Sequence, residues 1–377
     1  MKRILQSLLF AIIVLEPLLA QENTPSPWTG IGVEQNIKWG SMLKHSEKFT
    51  GPVSNNVWGY ELHLLQQTYG KSIWQQRRNF PLIGLAFNYM NYGYNDIYGS
   101  VLGLSPTITL NLLKYKNFSW TFRAGFGLGY VTKYYQRPPA PSQQNAAIGG
   151  HLNNVSPLST DIRWTLNERI ALHAGFFFTH VSNASIQIPN LGINTYGAQI
   201  GVRYFPLTAQ PNRIIRDHVD TWRNQYGVQV RTSVGFKEVG SYGGPRYQSY
   251  LLGIQGYKLY QSKNRVYFGA EYQYHQQVYA FHKSNFESKA KARSEAGQLA
   301  IHLGHEFIIG RFGIIGQLGY YIKDVEERSI PLYQKIGTQF YIMQRDKGFI
   351  KHLYANILLK THLANAEMAE IGIGMSF

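Results

Sequence analysis

Between residues 102 and 130 the chain alternates with a period of two, and few folds accept that pattern. Leu102, Leu104, Pro106, Ile108, Leu110 and Leu112 fall on one side of an extended backbone; Gly103, Ser105, Thr107, Thr109 and Asn111 fall on the other. The next segment repeats it. Phe118, Trp120, Phe122, Ala124, Phe126, Leu128 and Tyr130 oppose Ser119, Thr121, Arg123, Gly125, Gly127 and Gly129. Such strands have one apolar face and one small or polar face. A sandwich packing the apolar face into a core satisfies the alternation equally well.

The rest of the chain breaks that tie. Residues 1–20, "MKRILQSLLFAIIVLEPLLA", have the basic start, apolar run and small terminal residue of a secretory signal peptide. Beyond them no apolar stretch of about eighteen residues suits a helical span. Aromatic residues make up 14% and there are 37 Gly, while charged residues are only 15%, well below the quarter usual in soluble domains. Export with this composition predicts a transmembrane antiparallel β-barrel of the outer membrane of a Gram-negative bacterium. The final Phe377 resembles the assembly signal that ends many such barrels. The absence of Cys excludes a disulfide scaffold, a lipid-anchoring Cys and thiolate chemistry. The net charge of +16 admits nucleic acid, but export and the lack of a basic-helix motif point to anionic lipid instead.

Strands are expected near 31–43, 57–68, 82–92, 100–113, 118–132, 155–165, 170–182 and 193–205, then near 226–237, 247–260, 265–280, 295–309, 311–323, 331–343, 350–363 and 368–377. The chain therefore divides into a signal (1–20), a first barrel (21–206), a polar connection with a short helix (207–224) and a second barrel (225–377). One wide barrel of about sixteen strands is the alternative. The halves end alike, in "THVSNAS" (179–185) and "THLANAE" (361–367), as an internal duplication would, with Ala364 where the first copy has Ser182. Around the second copy the parity is reversed. His362 shares a face with Asn356 and Lys360, and Ile357, Leu359 and Leu363 take the other. Either a bulge shifts the register or His362 faces the lumen, and both make the second half non-catalytic, with a role in stability, substrate presentation or pairing.

In the first copy the face is the telling feature. With the N-terminus periplasmic, the short connections "KYKN" and "LNER" are periplasmic turns and the long, Pro-rich 134–150 segment is an external loop, although "GKSIWQQRRN" is long for this scheme. His180 and Ser182 then lie at the outer end of the seventh strand. They share the parity of Ile170, Leu172, Ala174, Phe176 and Phe178, and Asn194 shares that of Tyr196, Ala198 and Ile200 on the next strand. Polar side chains facing lipid are costly unless paired or functional. An imidazole two residues from a hydroxyl on one strand face can take its proton and make it a nucleophile, and a nearby amide aimed at the developing oxyanion adds about 3 kcal/mol.

His180, Ser182, Asn183, Ala184, Pro189, Asn190, Gly192, Ile193 and Asn194 together resemble the motif of the outer-membrane lipid A 3-O-deacylase (PagL-like, or acyloxyacyl hydrolase) family. The resemblance implies an eight-stranded barrel that hydrolyses an ester-linked acyl chain of lipopolysaccharide in the outer leaflet, without cofactor or metal. It makes Ser182 the nucleophile, His180 the general base and Asn183 an oxyanion donor, with backbone N–H groups of the turn, and leaves Asn190 and Gly192 to shape the site. One position departs. Where the family has Glu as third member this chain has Asn194, which can accept from the imidazole N–H and fix its tautomer but cannot neutralise imidazolium, so a slower enzyme is expected. The rivals are a non-enzymatic channel or scaffold barrel with a relic motif, and a phospholipase, since a lipid-facing Ser–His pair does not choose its headgroup. "HLGHE" puts His302 and His305 on opposite faces of a strand, which disfavours a metal site.

Overall fold

The computed structural model describes residues 28–207, 214–216, 225–240, 242–261, 263–326, 328–345, 347–362 and 365–377. The expected signal, the expected helix of the polar connection across most of its length, and Leu363 and Ala364 lie outside the described residues.

Strands β1 (Ile31–Met42), β2 (Val57–Gln67), β3 (Leu82–Asn91), β4 (Ser100–Tyr115), β5 (Phe118–Gly125), β6 (Gly127–Val131), β7 (Leu152–Thr165), β8 (Ile170–Ser182) and β9 (Ile193–Tyr204) form the first sheet. β5 and β6 are one crossing interrupted at Phe126, both pairing with β4 and β7. The sheet closes because β1 pairs with β9, as in Ile37 opposite Ile200, and β3 pairs with β4. Strands β10 (Gln225–Glu238), β11 (Arg246–Tyr260), β12 (Asn264–His275), β13 (Gly297–Ile309), β14 (Phe312–Lys323), β15 (Leu332–Gln344), β16 (His352–His362) and β17 (Asn365–Ser376) close separately through β10 and β17, with Val234 opposite Ile371. The fold is two eight-stranded antiparallel barrels in tandem, not one wide barrel.

The two-residue period assigns the faces as expected. Leu102, Leu128, Phe176 and Ile200 stand exposed on the outside, and Phe268, Leu318 and Ile336 do so on the second barrel, while Thr121 and Arg123 are buried inside. One strand is shorter than expected. The 265–280 segment stops at His275, because Val278, Tyr279, Ala280 and Phe281 run on without alternation; residues 276–284 form a helix above the barrel rim.

An eight-stranded barrel has an interior just wide enough for side chains to fill. Here charges fill it. In the first barrel Glu34 pairs with Arg123 and, at 2.9 Å, with Arg163; Glu61 pairs with Lys38 at 2.6 Å and with Arg123 at 3.2 Å. In the second, Lys335 lies 2.7 Å from Glu271 and 2.9 Å from Glu370, Arg231 lies 2.9 Å from Glu271, and Arg265 lies 3.2 Å from Glu306. Among the described residues these paired charges occupy both lumens.

The long 68–81 connection also has a use. A short helix, α1 (Ile73–Arg77), ends against Arg78, whose guanidinium donates to the carbonyls of Lys263 at 2.6 Å and Ile308 at 3.0 Å in the second barrel's short turns. The barrels are therefore joined at the end that carries short turns, independently of the chain connection.

Removing one member of a buried ion pair leaves an unpaired charge and costs about 3–5 kcal/mol. Glu34→Gln strands Arg163 and leaves Arg123 with Glu61 alone, so its urea unfolding, followed by heat-modifiable gel mobility, is expected at a clearly lower midpoint. A midpoint equal to the wild type's would show that the lumen pairs do not hold the first barrel together.

Candidate active site

β8 delivers His180 and Ser182 at the barrel end that carries the long loops, and antiparallel pairing sets Asn194 of β9 directly opposite His180. The register turns three residues into a chain of hydrogen bonds. His180 Nε2 lies 2.8 Å from Ser182 Oγ, and His180 Nδ1 lies 2.6 Å from Asn194 Oδ1. With Nδ1 protonated and donating to the amide oxygen, Nε2 is left to accept from the serine hydroxyl. This is the geometry of a nucleophile, a base and a group that fixes the base's tautomer.

All three side chains have outward parity, yet they are not bare to lipid. Ser182 is 4% exposed and Asn194 9%. The loop of residues 183–192 folds over them. Its cover is the backbone of Gly192, at φ +78°: a Cβ there would come within 2.8 Å of His180 Cε1 and 3.4 Å of Ser182 Cβ. Two other loops hold this cover down. Leu191 and Gly192 donate their N–H groups to the carbonyls of Ala146 and Ala147, and His45 Nε2 lies 2.8 Å from the Leu191 carbonyl.

The expected oxyanion donors divide unevenly. The Asn183 N–H is taken by Asn190 Oδ1 at 2.8 Å, and Asn183 Oδ1 accepts from the Gln187 N–H at 3.3 Å. The N–H groups of residues 186, 188, 191 and 192 are also donated elsewhere. By contrast, the side-chain amide nitrogens of Asn183 and Asn190 are buried without a partner. A buried, unpaired amide donor beside a nucleophile suits a charge that exists only during reaction.

Two polar residues escaped the sequence reading. Asn154 and Ser156 of β7 pair directly with Ser182 and His180, and Ser156 Oγ donates to Asn154 Oδ1 at 2.7 Å. The signal was present: they interrupt the outward series of Leu152, Leu158, Ile162 and Trp164 as His180 and Ser182 interrupt theirs. The second copy assembles no such triad from its described residues. The β16–β17 register shifts between Lys360 and Thr361, and His362 Nε2 donates to the Ile330 carbonyl at 2.7 Å. The residue skipped there is Glu367 on β17, so β16 keeps its alternation and the shift does not turn His362 to its other face.

Residues 58–203 match the family model described as lipid A 3-O-deacylase (PagL), and residues 224–377 match that described as acyloxyacyl hydrolase, C-terminal domain. No curated protein matches the chain. Among solved structures, the outer membrane enzyme PagL aligns at 16% identity and a TM-score of 0.31, over 46% of this chain and 98% of its own. CdiB from Acinetobacter baumannii aligns at 10% and 0.20, over 93% of this chain and 60% of its own. A BenF-like porin from Pseudomonas fluorescens Pf-5 aligns at 8% and 0.23, over 92% and 97%.

Gly192→Ala meets both a left-handed backbone and the imidazole ring, and is expected to turn His180 away from Ser182. Misplacement by about 1 Å can cost about 100-fold in rate, so labelling of Ser182 by a fluorophosphonate should slow by that order. Labelling at the wild-type rate would mean that the Gly192 backbone does not position the ring.

Proposed function

From a chain that belongs to the lipid A 3-O-deacylase (PagL) family through residues 58–203 and to the acyloxyacyl hydrolase C-terminal family through residues 224–377, and is an integral outer-membrane barrel protein, we propose a serine esterase that removes an ester-linked acyl chain from lipid A. The hydrogen-bonded chain Asn194–His180–Ser182 on the outward wall carries this reading. His180 Nε2 takes the Ser182 proton as Oγ attacks the acyl carbonyl. The oxyanion is met by an amide of Asn183 or Asn190, the protonated imidazole returns its proton to the leaving sugar oxygen, and water attacks the acyl-serine by the same route. Asn194 holds the ring and its tautomer. Asn190 and Gly192 fix the loop around it, and Asn154 and Ser156 extend the polar lining sideways onto β7.

The outward face favours this reading over a channel. A nucleophile on the outside of a barrel wall serves a substrate held in the membrane, and lipid A is the acylated lipid of the outer leaflet that the family name specifies. The second barrel, without a described triad, is proposed to be non-catalytic.

Two measurements test this. Lipid A from Gram-negative cells expressing the chain should lose one acyl chain by mass spectrometry, and cells with equal amounts of Ser182→Ala should not; intact lipid A in both cases would remove the substrate assignment. Asn194→Asp puts a carboxylate on the imidazole N–H. Since hydrogen bonds to charged groups are worth about 1 kcal/mol more than neutral ones, kcat at neutral pH should rise about fivefold, with some loss of stability. A fall in kcat would show that the amide is needed for more than accepting one hydrogen bond.

A further inference from the structure

The loop that covers the site belongs to the first barrel, but much of its hydrogen bonding goes to the second. The Ile188 N–H donates to a carboxylate oxygen of Glu238 at 2.6 Å, the Glu238 N–H donates to the Ser185 carbonyl at 3.0 Å, and Ser185 Oγ donates to the Ala366 carbonyl at 2.9 Å. Glu238 is the last residue of β10 and is 6% exposed, so its carboxylate is committed to this contact. The grip falls on strained backbone. Ala184 and Ser185, directly after Ser182 and Asn183, have φ of 56° and 63°. Residues without the freedom of glycine keep such conformations only where the surroundings impose them. Among the described residues, the hydrogen bonds that tie this loop to the other loops of the first barrel lie at its far end, with Ala146, Ala147 and His45, while Gly149 and Gly150 pack closely against Gln187 and Ile188.

We propose that the second barrel is a positioning unit for the site on the first, with Glu238 as the latch that holds residues 184–188 in the conformation that carries Asn183 and, through the loop, Gly192. This rests on the esterase reading above. Glu238 touches no reacting atom; it is a positioning residue acting through the loop. A carboxylate gripping one N–H while its own N–H binds a carbonyl three residues earlier fixes both the height and the rotation of the turn. The Arg78 contacts at the opposite end keep the second barrel from swinging away. The second half therefore has a task that needs no triad of its own.

The test uses the full chain, wild type, Glu238→Ala and Glu238→Gln, in detergent micelles with purified lipid A. Hydrogen exchange of residues 183–192 and the kinetic constants are both read. In Glu238→Ala the loop amides, Ile188 foremost, are expected to exchange at least about tenfold faster while β8, β9 and β10 keep their protection. kcat should fall about 10- to 100-fold with KM nearly unchanged, and Glu238→Gln, whose amide oxygen still accepts, should recover most of it. Unchanged loop exchange overturns the latch; faster loop exchange with undiminished kcat overturns its part in catalysis. Strand exchange, kcat and KM all moving together would reduce Glu238 to a stabilising contact and overturn it too. A wild type that leaves lipid A intact removes the esterase reading instead, and loop exchange alone then decides whether Glu238 latches the loop.

Discussion

No water reaches the hydrocarbon of a bilayer, so every backbone N–H and carbonyl there must find its partner within the protein. A sheet meets that demand only by closing on itself, and each half of this chain does so. Closure has a second consequence. It fixes which residues stand side by side, and the pairing of His180 with Asn194 across β8 and β9 is one product of the same register that satisfies the backbone. The site is thus built on paired strands of the closed sheet, and a loop covers it.

Closing twice, at eight crossings each, also decides what the interior can be. The charges of Glu34, Arg123 and Arg163 in one lumen, and of Glu271, Arg231 and Lys335 in the other, are far from water and stay only because each has an opposite charge within bonding distance. A single barrel of about sixteen strands would have put these same side chains on the wall of an aqueous pore. In each eight-stranded barrel they instead pair with one another across the lumen. What remains for chemistry is the outer wall and the loop end.

The period of two made the strands and their faces legible, because inward and outward positions differ sharply in polarity at Leu102 to Leu112 and at Phe118 to Tyr130. It also exposed His180 and Ser182, since each breaks an apolar series. Ring closure was not legible. Whether β9 pairs with β1 or with β10 depends on contacts between segments far apart in sequence, which local patterning does not encode. Glu238 illustrates the same limit: one acid at a strand end, fifty residues beyond Ile188, gives no local sign that it binds that residue's amide. The irregularity beside β16 was not legible: the parity of His362 differs from that of Leu359, but the residue skipped in the pairing is Glu367 on β17.

A neutral residue as third member of the proposed triad has a physical consequence set by where Asn194 sits. Asn194 is almost fully covered and faces the lipid side of the wall, with His180 as its hydrogen-bonding partner. A carboxylate in that position would be a buried charge for the whole resting life of the enzyme, balanced only while the imidazole is protonated, and burying an unpaired charge costs far more than burying a hydrogen-bonded amide. The lumen carboxylates escape this because a permanent cation faces each of them. Under the proposed mechanism, Asn194 keeps the resting site uncharged and the tautomer correct, and gives up part of the stabilisation of imidazolium in return. A site so arranged depends more heavily on geometry than on charge, which is why a glycine backbone pressed on the imidazole and a latch from a second barrel matter here.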